Sequence, residues 1–572
     1  MPFEPVAVVG RGCVLPDALS PDEFWRNILA RRVSLGPAPP DRLGMVPGTG
    51  RPERFTPGVG GFVNGFDEVF DPSGYGLAPA EVLRLDPLFQ WVLHVGRQSL
   101  AEAGHFTAPP RSGLVLGNLS YPTATAVRYA EHLWLSAQDP SVRDALLESV
   151  APRPHALNRF SSGMPALLAA RALGLDAGAY AVDAACATSL YTVKLACDRL
   201  QDGTADLMLA GAVACSEPLL VHGGFALLGA LSPTGRSRPF HREADGLVPA
   251  EGAVLFALMR LGDALAQGRR VLAVVRGIGL GNDGRAGGLV APDATGQERA
   301  MRAAYASAGV PPESVGLLEC HATGTAVGDA VEARSAGRVF VAHRDLPVGS
   351  VKANIGHALT VSGAAALLKV IGALDAGIRP ATPHDGTPAA LGEGPLRLLT
   401  EHEDWSGPRR AAVSAFGFGG TDAHLVLDAG DALASPPPAP SRPAPLPLAV
   451  VALAARVGRE GGTEEFIAAL CTGRPCREPR EAVALAVKGL RFPPLDLRET
   501  LPQQILVLDA AREAAHGLTL PPPRTAVVVG AGVDPQVGLH IAGRRIDAHW
   551  LRAGLPPPPA RRPGSGTPSL PR

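Results

Sequence analysis

Over residues 1–428, short apolar runs alternate with segments of helical pattern, and this alternation restricts the chain to few architectures. The runs are rich in Val and Leu and include PVAVVG, SGLVLGN, DLMLAGAVA, AVLFALM and SVGLLEC. Because they lack a regular polar face, they predict strands that are buried on both sides. Helical segments between such strands cover the two faces of a sheet. The sequence therefore predicts an α/β fold with largely buried sheets.

The overall composition excludes several classes of protein. The chain has 572 residues, which is too long for one ordinary domain, and a net charge of −1, which gives no basis for binding nucleic acid or an acidic membrane. Its seven cysteines are scattered, with no CxxC pair, which favours the reducing cytoplasm. The start, MPFEPVAVVGRG, does not resemble a signal peptide, and no long uncharged apolar run predicts a membrane span.

An internal repeat and two Pro-rich stretches divide the rest of the chain. Residues 447–471 align without a gap with residues 5–29, and the counterparts of 87–118 follow at 502–531. Chance similarity between amphipathic segments is one explanation. The shared Pro, Glu-Phe and Arg positions favour a related second domain that begins at 447 and stops early. ASPPPAPSRPAPLP precedes the repeat as a stiff linker, and a Pro-rich tail follows it.

A lone thiol stands where an apolar run meets a helical pattern, in YAVDAACATSLYTVKLACDRLQDG. Cys186 is followed by an apolar stripe of helical spacing, at Leu190, Val193, Cys197 and Leu200. The amino terminus of a helix stabilises a thiolate and can hold an oxyanion, so the pattern predicts a nucleophile with a lowered pKa. A buried core cysteine is the alternative.

Two histidines lie in similar settings. His321 follows the strand-like SVGLLEC, and His357 follows PVGSV just before a long helical segment. Open α/β sheets form their clefts at the carboxyl ends of strands, so both histidines are predicted to face such a cleft. A single histidine is more often structural, but two together with Cys186 favour one common site.

A Gly-rich stretch, AFGFGGTDAH, completes the candidate residues. Gly417, Gly419 and Gly420 allow close approach of the backbone to a substrate, and Phe416 and Phe418 can wall it. As a phosphate loop the stretch lacks the required lysine and spacing.

The motifs DAACATSL, HATGT, KANIGH and AFGFGGTDAH, in this order, resemble the β-ketoacyl-acyl carrier protein synthase (ketosynthase) family of the thiolase superfamily. The variants ECHATGT, GNDGR and RPFHREADGLVPAEGA are most similar to ketosynthases of polyunsaturated-fatty-acid and heterocyst-glycolipid synthases. In the former, a chain-length-factor-like copy follows the ketosynthase, which would explain the repeat.

The resemblance implies a thiolase-like fold of two pseudo-symmetric βαβ-rich halves, layered α-β-α-β-α. We expect the halves at 1–265 and 266–430, followed by a linker at 431–446. A partial second ketosynthase or chain-length-factor-like segment at 447–534 and a disordered tail at 535–572 would complete the chain.

The resemblance also implies an acyltransferase that acts in fatty acid or polyketide biosynthesis. Cys186 would accept an acyl chain from a carrier-protein thioester. His321 and His357 would hydrogen-bond the thioester carbonyl of a malonyl-type extender and stabilise the enolate formed as carbon dioxide leaves. Attack of that carbanion on the acyl group gives a 3-ketoacyl product.

Supporting roles and partners follow from the same resemblance. The N–H groups of Cys186 and Phe418 would form an oxyanion hole, with Phe418, flanked by Gly417 and Gly419, gating the acyl pocket. Lys352 and Glu332 would form a charge pair near the histidines. No metal or tightly bound cofactor is implied. Phosphopantetheine arrives as a thioester on acyl carrier protein, and the dimer partner is a second copy or a chain-length-factor-like domain.

Four positions depart from the commonest family pattern, namely Ala187, His241, Ala322 and Asp422. Asp422 replaces an asparagine and, when ionised, cannot donate a hydrogen bond. Two rival functions stay open. A thiolase-like acyltransferase acting on a coenzyme A thioester would need a second catalytic cysteine, which the sequence lacks between 320 and 471. A non-catalytic chain-length-factor-like partner would usually lack the cysteine.

Overall fold

The computed structural model describes residues 3–39, 58–136, 138–147, 153–284, 291–389, 391, 394–432, 447–458, 461–476, 483, 485–488, 490, 494–521 and 525–552. The chain divides into two compact units. The core unit comprises residues 1–442 and 535–572, and the second unit comprises residues 443–534.

The core unit is built on a sheet of eleven strands, in the order β12-β10-β9-β14-β15-β8-β1-β7-β6-β4-β5. The strands in chain order are β1 Val6–Val14, β2 Gly36–Pro37, β3 Val59–Gly60, β4 Ser112–Asn118, β5 Ala179–Val182, β6 Leu207–Ala214, β7 Gly252–Arg260, β8 Ala273–Asn282, β9 Leu317–Glu319, β10 Leu346–Gly349, β11 Ile378–Arg379, β12 Leu396–Leu398, β13 Glu403–Asp404, β14 Arg410–Gly417 and β15 Thr421–Ala429. Strands β2 and β3, and β11 and β13, form small separate pairs.

Helices surround the sheet and connect its strands. In chain order they are α1 Pro21–Leu29, α2 Phe66–Val69, α3 Pro79–Val82, α4 Pro87–Glu102, α5 Ala124–Ser136, α6 Pro140–Leu147, α7 Met164–Leu173, α8 Thr188–Gln201, α9 Pro218–Leu227, α10 Leu261–Ala266, α11 Ala294–Ala308, α12 Ala326–Val339, α13 Lys352–Ile355, α14 Ser362–Ala376, α15 Thr463–Thr472, α16 Pro494–Glu499, α17 Pro502–Ala514 and α18 Pro535–Arg552. Short 3₁₀ turns occupy Ala156–Arg159, Ala185–Ala187, Pro312–Ser314 and Leu359–Val361.

The sheet consists of two halves of the same topology that meet between β1 and β8. In the first half, β1, β7 and β6 are successively antiparallel, and β4 and β5 continue parallel to β6. In the second half, β8, β15 and β14 are antiparallel, and β9 and β10 continue parallel to β14. The predicted pair of pseudo-symmetric halves is confirmed.

Apolar burial arranges these halves into five layers. Helices α8 and α14 lie in one apolar core with the inner faces of both half-sheets. Helices α4 and α7 cover the outer face of the first half, and α11 and α12 cover that of the second. The α-β-α-β-α order matches the thiolase-like expectation, and it explains why the strands read as continuous apolar runs.

The two central helices begin at equivalent places in the two halves. Helix α8 follows β5 through the turn Ala185–Ala187, and α14 follows β10 after the turn Leu359–Val361. The N–H of Ala364 donates to Oγ of Ser189 at 2.8 Å, which ties the two helix starts together. The loops after β5, β9 and β10 therefore open at one end of the molecule's centre, where parallel strands present their carboxyl ends.

One helical segment, Leu359–Ala376, has the length and apolar composition of a membrane span, and 89% of it is buried inside the protein. It contains α14, the central helix of the second half. Its apolar character therefore reflects burial between two sheets, where a helix is hydrophobic on all sides.

The end of the chain differs from expectation. We expected residues 535–572 to be disordered, but Pro535–Arg552 forms helix α18, which packs on α5 through Ile541, Ala542 and Ile546. The apolar residues of α18 pack on the surface of α5. The prolines in the flanking sequence had favoured disorder instead. The rest of the tail, 553–572, and most of the linker, 433–446, lie outside the described residues.

The second unit keeps the helices of the repeat without its strands. Helices α15 and α17 are the counterparts of α1 and α4. Arg456, in the segment before α15, forms ion pairs with Asp509 and Glu513 of α17, at 2.5 and 2.6 Å. Within 447–458 and 525–533 no strand forms. In the core unit the matching strands β1 and β4 are held by β5, β6, β7 and β8, and the second unit lacks counterparts of these among its described residues.

Candidate active site

Cys186 occupies a tight elbow between β5 and α8. The residue before it, Ala185, has φ +50°, a left-handed conformation that costs about 1–2 kcal/mol for a residue with a side chain. Backbone-to-side-chain bonds from Ala184 to Thr188 and from Thr188 to Ala185 hold the turn. The thiol is 4% exposed and points into the interior of the site.

The thiol of Cys186 contacts His357, with Sγ and Nε2 3.0 Å apart. Burial raises the pKa of the thiol to about 11, and the N–H of Phe418 opposes this by bonding to the sulfur. The predicted lowering of the thiol pKa is therefore wrong, because loss of water outweighs the helix amino terminus. Burial and the charge of Lys352 lower the pKa of His357 to about 3, so its imidazole is neutral and can accept the thiol proton.

Ser362, the first residue of α14, orients His357 from the other side. Its Oγ lies 2.6 Å from Nδ1 of His357. When Nε2 accepts from the thiol, Nδ1 carries the proton and donates to this hydroxyl. A hydroxyl can also donate, so Ser362 supports both tautomers of the ring. Sequence reasoning missed Ser362, although its position at the start of a helix five residues after a candidate histidine was a usable signal.

His321 completes the cluster from the loop after β9. One donor atom from each of Cys186, His321 and His357 lies within 4.8 Å of the others, and the two rings meet edge to face with centroids 5.4 Å apart. Burial and Lys352 lower the pKa of His321 well below its usual value. Its Nδ1 has no hydrogen-bond partner among the described residues, which leaves a polar atom available to a substrate. The structure thus brings the three predicted residues together.

The expected pair between Lys352 and Glu332 is not a contact ion pair. Glu332 instead accepts from the backbone N–H groups of His321 and Ala322 at 2.7 and 2.6 Å, and so fixes the loop that carries His321. Burial raises the pKa of Glu332 to about 7. Burial lowers the pKa of the Lys352 ammonium, while the charges of Glu319 and Glu332 oppose that shift.

A buried ion pair that sequence reasoning missed lies directly behind the site. Nζ of Lys369 on α14 is 2.7 Å from Oε2 of Glu319 at the end of β9, and both side chains are at most 1% exposed. The other oxygen of Glu319 accepts from the N–H of Val351. A glutamate within the apolar LLEC run was the signal that a cation must lie opposite.

The Gly-rich loop closes over the thiol. Thr421 donates to the carbonyl of Ala184 at 2.8 Å, which anchors the loop to the elbow and directs the N–H of Phe418 at the sulfur. A Cβ on Gly417 would lie 2.8 Å from that carbonyl oxygen, and Gly419 has φ +91°, so both positions require glycine. The ring of Phe418 packs against Phe225 of α9, at 5.7 Å between centroids.

A thiolate and two imidazoles at this spacing are also ligands that Zn²⁺ accepts. The nearby charge of Lys352, which lowers the pKa of both imidazoles, opposes a dication here. The donor set therefore suits proton transfer better than metal binding.

A small, mainly apolar pocket lies beside residues that pair with the backbone of His357. Its walls include Pro249 and Ala250, which pair with the backbone of His357, and Leu359. The opposite wall comes from α9 and β6 and consists of Ala214, Ser216, Pro218, Val221 and His222.

Asp422, which departs from the family pattern, behaves as a hydrogen-bond donor. Burial and the neighbouring charge of Asp283 raise the pKa of Asp422 to about 9, and the two carboxyl groups share a hydrogen bond. The protonated carboxyl group of Asp422 donates this hydrogen bond to Asp283. Asp422 therefore keeps the donor that an ionised aspartate would lack, because a buried pair of carboxyl groups retains one proton.

We expect Asp422→Asn to remove a pH dependence of stability. The folded state binds a proton that the unfolded chain releases, so this contribution is full below pH 4, roughly, and is lost as the pH rises to about 9. The slope reaches about 1.4 kcal/mol per pH unit. An asparagine donates at every pH, so the variant should gain over wild type from pH 5 to pH 8 in urea unfolding. Asp375→Asn, which is half-exposed, is the control. Equal pH profiles for Asp422→Asn and wild type would contradict the shared proton.

Comparison with known proteins decides the family. Residues 3–264 match the model of the β-ketoacyl synthase N-terminal domain, and residues 272–385 match that of the C-terminal domain. The chain belongs to the β-ketoacyl synthase family. The predicted ketosynthase, an acyltransferase, is confirmed.

Similar proteins come from several synthases. The chain is 34% identical over 537 residues to the pikromycin polyketide synthase component PikAIII of Streptomyces venezuelae, which covers 89% of this chain and 32% of that protein. It is 36% identical over 466 residues to the spectinabilin polyketide synthase system protein NorA' of Streptomyces orinoci, covering 79% and 12%. The chain therefore spans about a third or less of these relatives.

The chain is also similar to solved structures of ketosynthases. The PfaC keto synthase-chain length factor matches with a TM-score of 0.74 and 35% identity, over 82% of this chain and 52% of that one. The ketosynthase from module 6 of the bacillaene synthase of Bacillus subtilis 168 matches with a TM-score of 0.64 and 28% identity, over 74% and 72%. The thiolase-like fold of the ketosynthase is thereby confirmed.

Proposed function

We propose that this ketosynthase catalyses decarboxylative Claisen condensation, with Cys186 as nucleophile and with His357 and His321 as its catalytic partners. The observation that carries the proposal is the 3.0 Å contact between Sγ of Cys186 and Nε2 of a neutral His357, with His321 in the same cluster. A thiol of pKa about 11 needs such a base to react at neutral pH.

The first half-reaction loads the acyl chain. Nε2 of His357 takes the thiol proton, and the thiolate attacks the thioester carbonyl of acyl carrier protein. The N–H groups of Cys186 and Phe418 stabilise the oxyanion. The intermediate collapses with cleavage of the bond to pantetheine sulfur, which leaves with the proton from His357. The acyl chain remains on Cys186.

The second half-reaction forms the carbon–carbon bond. After acylation, Ser362 can donate to Nδ1 of His357, so that Nε2 carries a proton and faces the site. His357 and His321 then donate to the malonyl thioester carbonyl. Loss of carbon dioxide leaves its bonding electron pair in the enolate, which these donors stabilise. The enolate carbon attacks the acyl carbon, and Cys186 leaves as thiolate.

The wider assignment is a synthase of the polyunsaturated-fatty-acid type in the cytoplasm, with a chain-length-factor-like partner. Support comes from the HATGT variants, from the internal repeat and from the likeness to PfaC over 82% of this chain. The sequence relatives are polyketide synthases, so the extender is of the malonyl class in either setting.

Intact-protein mass spectrometry after incubation with an acyl carrier protein thioester tests the proposal. We expect one acyl adduct, mapped to Cys186, that is absent in Cys186→Ala. Cys186→Gln should lose condensation but still release carbon dioxide from malonyl carrier protein, because it retains both histidines. Cys471→Ser, which removes an exposed thiol, is the control, and Cys186 of this variant should be acylated normally. An adduct on another residue, or normal condensation by Cys186→Gln, would refute the role of the thiol.

A further inference from the structure

The internal repeat continues further than its strand-like segments. Residues 109–122, PPRSGLVLGNLSYP, align without a gap with residues 522–535, PPRTAVVVGAGVDP. In the core unit, helix α5 begins immediately after this stretch, at Ala124. In the repeat, helix α18 begins at Pro535. Helix α18 is therefore the repeat's counterpart of α5.

This counterpart packs on α5 itself. Ile541 and Ala542 of α18 lie in one apolar cluster with Val127 and Ala130 of α5. Ile546 lies in a second cluster with Leu135 and Leu146. An element that packs on its own equivalent is the characteristic contact of an isologous dimer, in which both partners use the same surface.

Charge favours α18 over a second α5 on this surface. The surface holds two carboxylates, Glu131 on α5 and Glu217 at the start of α9, which are 2% and 0% exposed. Nη2 of Arg545 lies 2.9 Å from both oxygens of Glu217, and its Nε lies 3.8 Å from Glu131. In the ungapped alignment, the counterpart of Arg545 on α5 is His132. A second α5 would therefore bring its own Glu131 and no arginine at the position of Arg545.

We propose that α18 occupies the position on α5 that the same helix of a second copy would take, so that the chain carries part of its own dimer partner. Arg545 makes this internal partner preferred over a second copy of the chain. The surface formed by α5 and the first turn of α9 is thus a dimer interface that is closed from within.

Helix α18 also contacts Glu217, the residue that caps helix α9. Glu217 caps α9 by accepting from the N–H of Leu219, and the same helix carries His222 at the small apolar pocket and Phe225 against Phe418. Arg545 therefore neutralises the carboxylate on which the orientation of α9 depends. Removal of one partner of such a buried pair is strongly destabilising locally, because the remaining charge has no counterion.

Oligomeric state tests the proposal in the full-length chain, with Cys471 and Cys476 replaced by Ser to remove the accessible thiols. Light scattering coupled to size exclusion reports mass over a range of concentrations. In this background Ala130→Cys places a thiol on the α5 surface, which α18 covers. We expect no disulfide-linked dimer. Addition of Arg545→Glu should release α18 from α5. The apparent mass should then increase with protein concentration, and mild oxidation should link two copies through the introduced thiol.

A second pair of variants separates release of α18 from general damage. Ile541→Asp disrupts the same contact without touching Glu217 and should give the same self-association, whereas His540→Asp on the exposed side of α18 should leave the mass unchanged. A covalent dimer from Ala130→Cys alone would overturn the proposal, since α5 would then be open to a second copy. Unchanged mass for both Arg545→Glu and Ile541→Asp would also overturn it.

Discussion

Replacing His357 by Ala slows acylation of Cys186 by about 10²- to 10⁴-fold at pH 7 and abolishes condensation. His357 is the only group in contact with Sγ that can take its proton among the described side chains, and a general base contributes about that factor. With the base removed, the rate should depend on the rare thiolate of a thiol whose pKa is about 11. Acylation by the variant should therefore rise about tenfold per pH unit between pH 7 and 9, roughly, and added imidazole should restore part of it.

His321→Ala is the matched variant for this prediction. His321 belongs to the same cluster, but its proposed role begins only when the extender binds, so His321→Ala should still acylate Cys186 close to the wild-type rate while losing condensation. His516→Ala, an exposed histidine of the second unit, should change neither rate. Stopped incubation followed by mass spectrometry separates acylated from free protein. Wild-type acylation by His357→Ala would show that another group activates the thiol.

Replacing Lys369 by Met destabilises the ketosynthase domain by about 3–5 kcal/mol. The substitution leaves Glu319 in the interior without its cation, and an uncompensated buried charge costs about that much. The midpoint of urea unfolding should fall accordingly, with little change in its slope. The double variant Glu319→Gln with Lys369→Met removes both charges and should recover most of the loss, because the unpaired carboxylate is then gone.

Lys194→Met provides the comparison on the same residue type. Lys194 pairs with Asp198 on α8, but both side chains are partly exposed, so we expect a cost below about 1 kcal/mol. If Lys369→Met costs no more than Lys194→Met, the pair behind the site does not support the fold. If the double variant is as unstable as Lys369→Met, packing of the lysine stem rather than its charge is responsible.

Much of the site was predictable because its residues stand at points where the local pattern changes. Cys186, His321 and His357 each follow an apolar run and precede a helix or a polar loop, and their order matches the ketosynthase motifs. The residues that sequence reasoning missed act at long range. Ser362 and Lys369 lie on the apolar helix α14, and Glu319 lies in a short strand, so nothing local shows which partner each one meets.

The protonation of two groups in the site depends on burial. The thiol was expected to have a lowered pKa from its helix terminus, whereas burial raises it to about 11. Asp422 could not donate a hydrogen bond if it were ionised, whereas burial against Asp283 keeps it protonated. In both cases the sequence shows the local dipole or charge but not how much water the finished fold removes.

The sequence by itself determined the alternation of buried strands and helices and the identity of the reactive side chains, because hydrophobic periodicity and motif order are local properties. The two halves followed from the resemblance to ketosynthases. Tertiary structure alone decided protonation, since desolvation depends on what packs over each group. It also decided which secondary-structure elements of the repeat form. Its helices form from local pattern, but strands need neighbours, and those neighbours are missing from the described part of the second unit. The helix after them therefore finds its partner on α5.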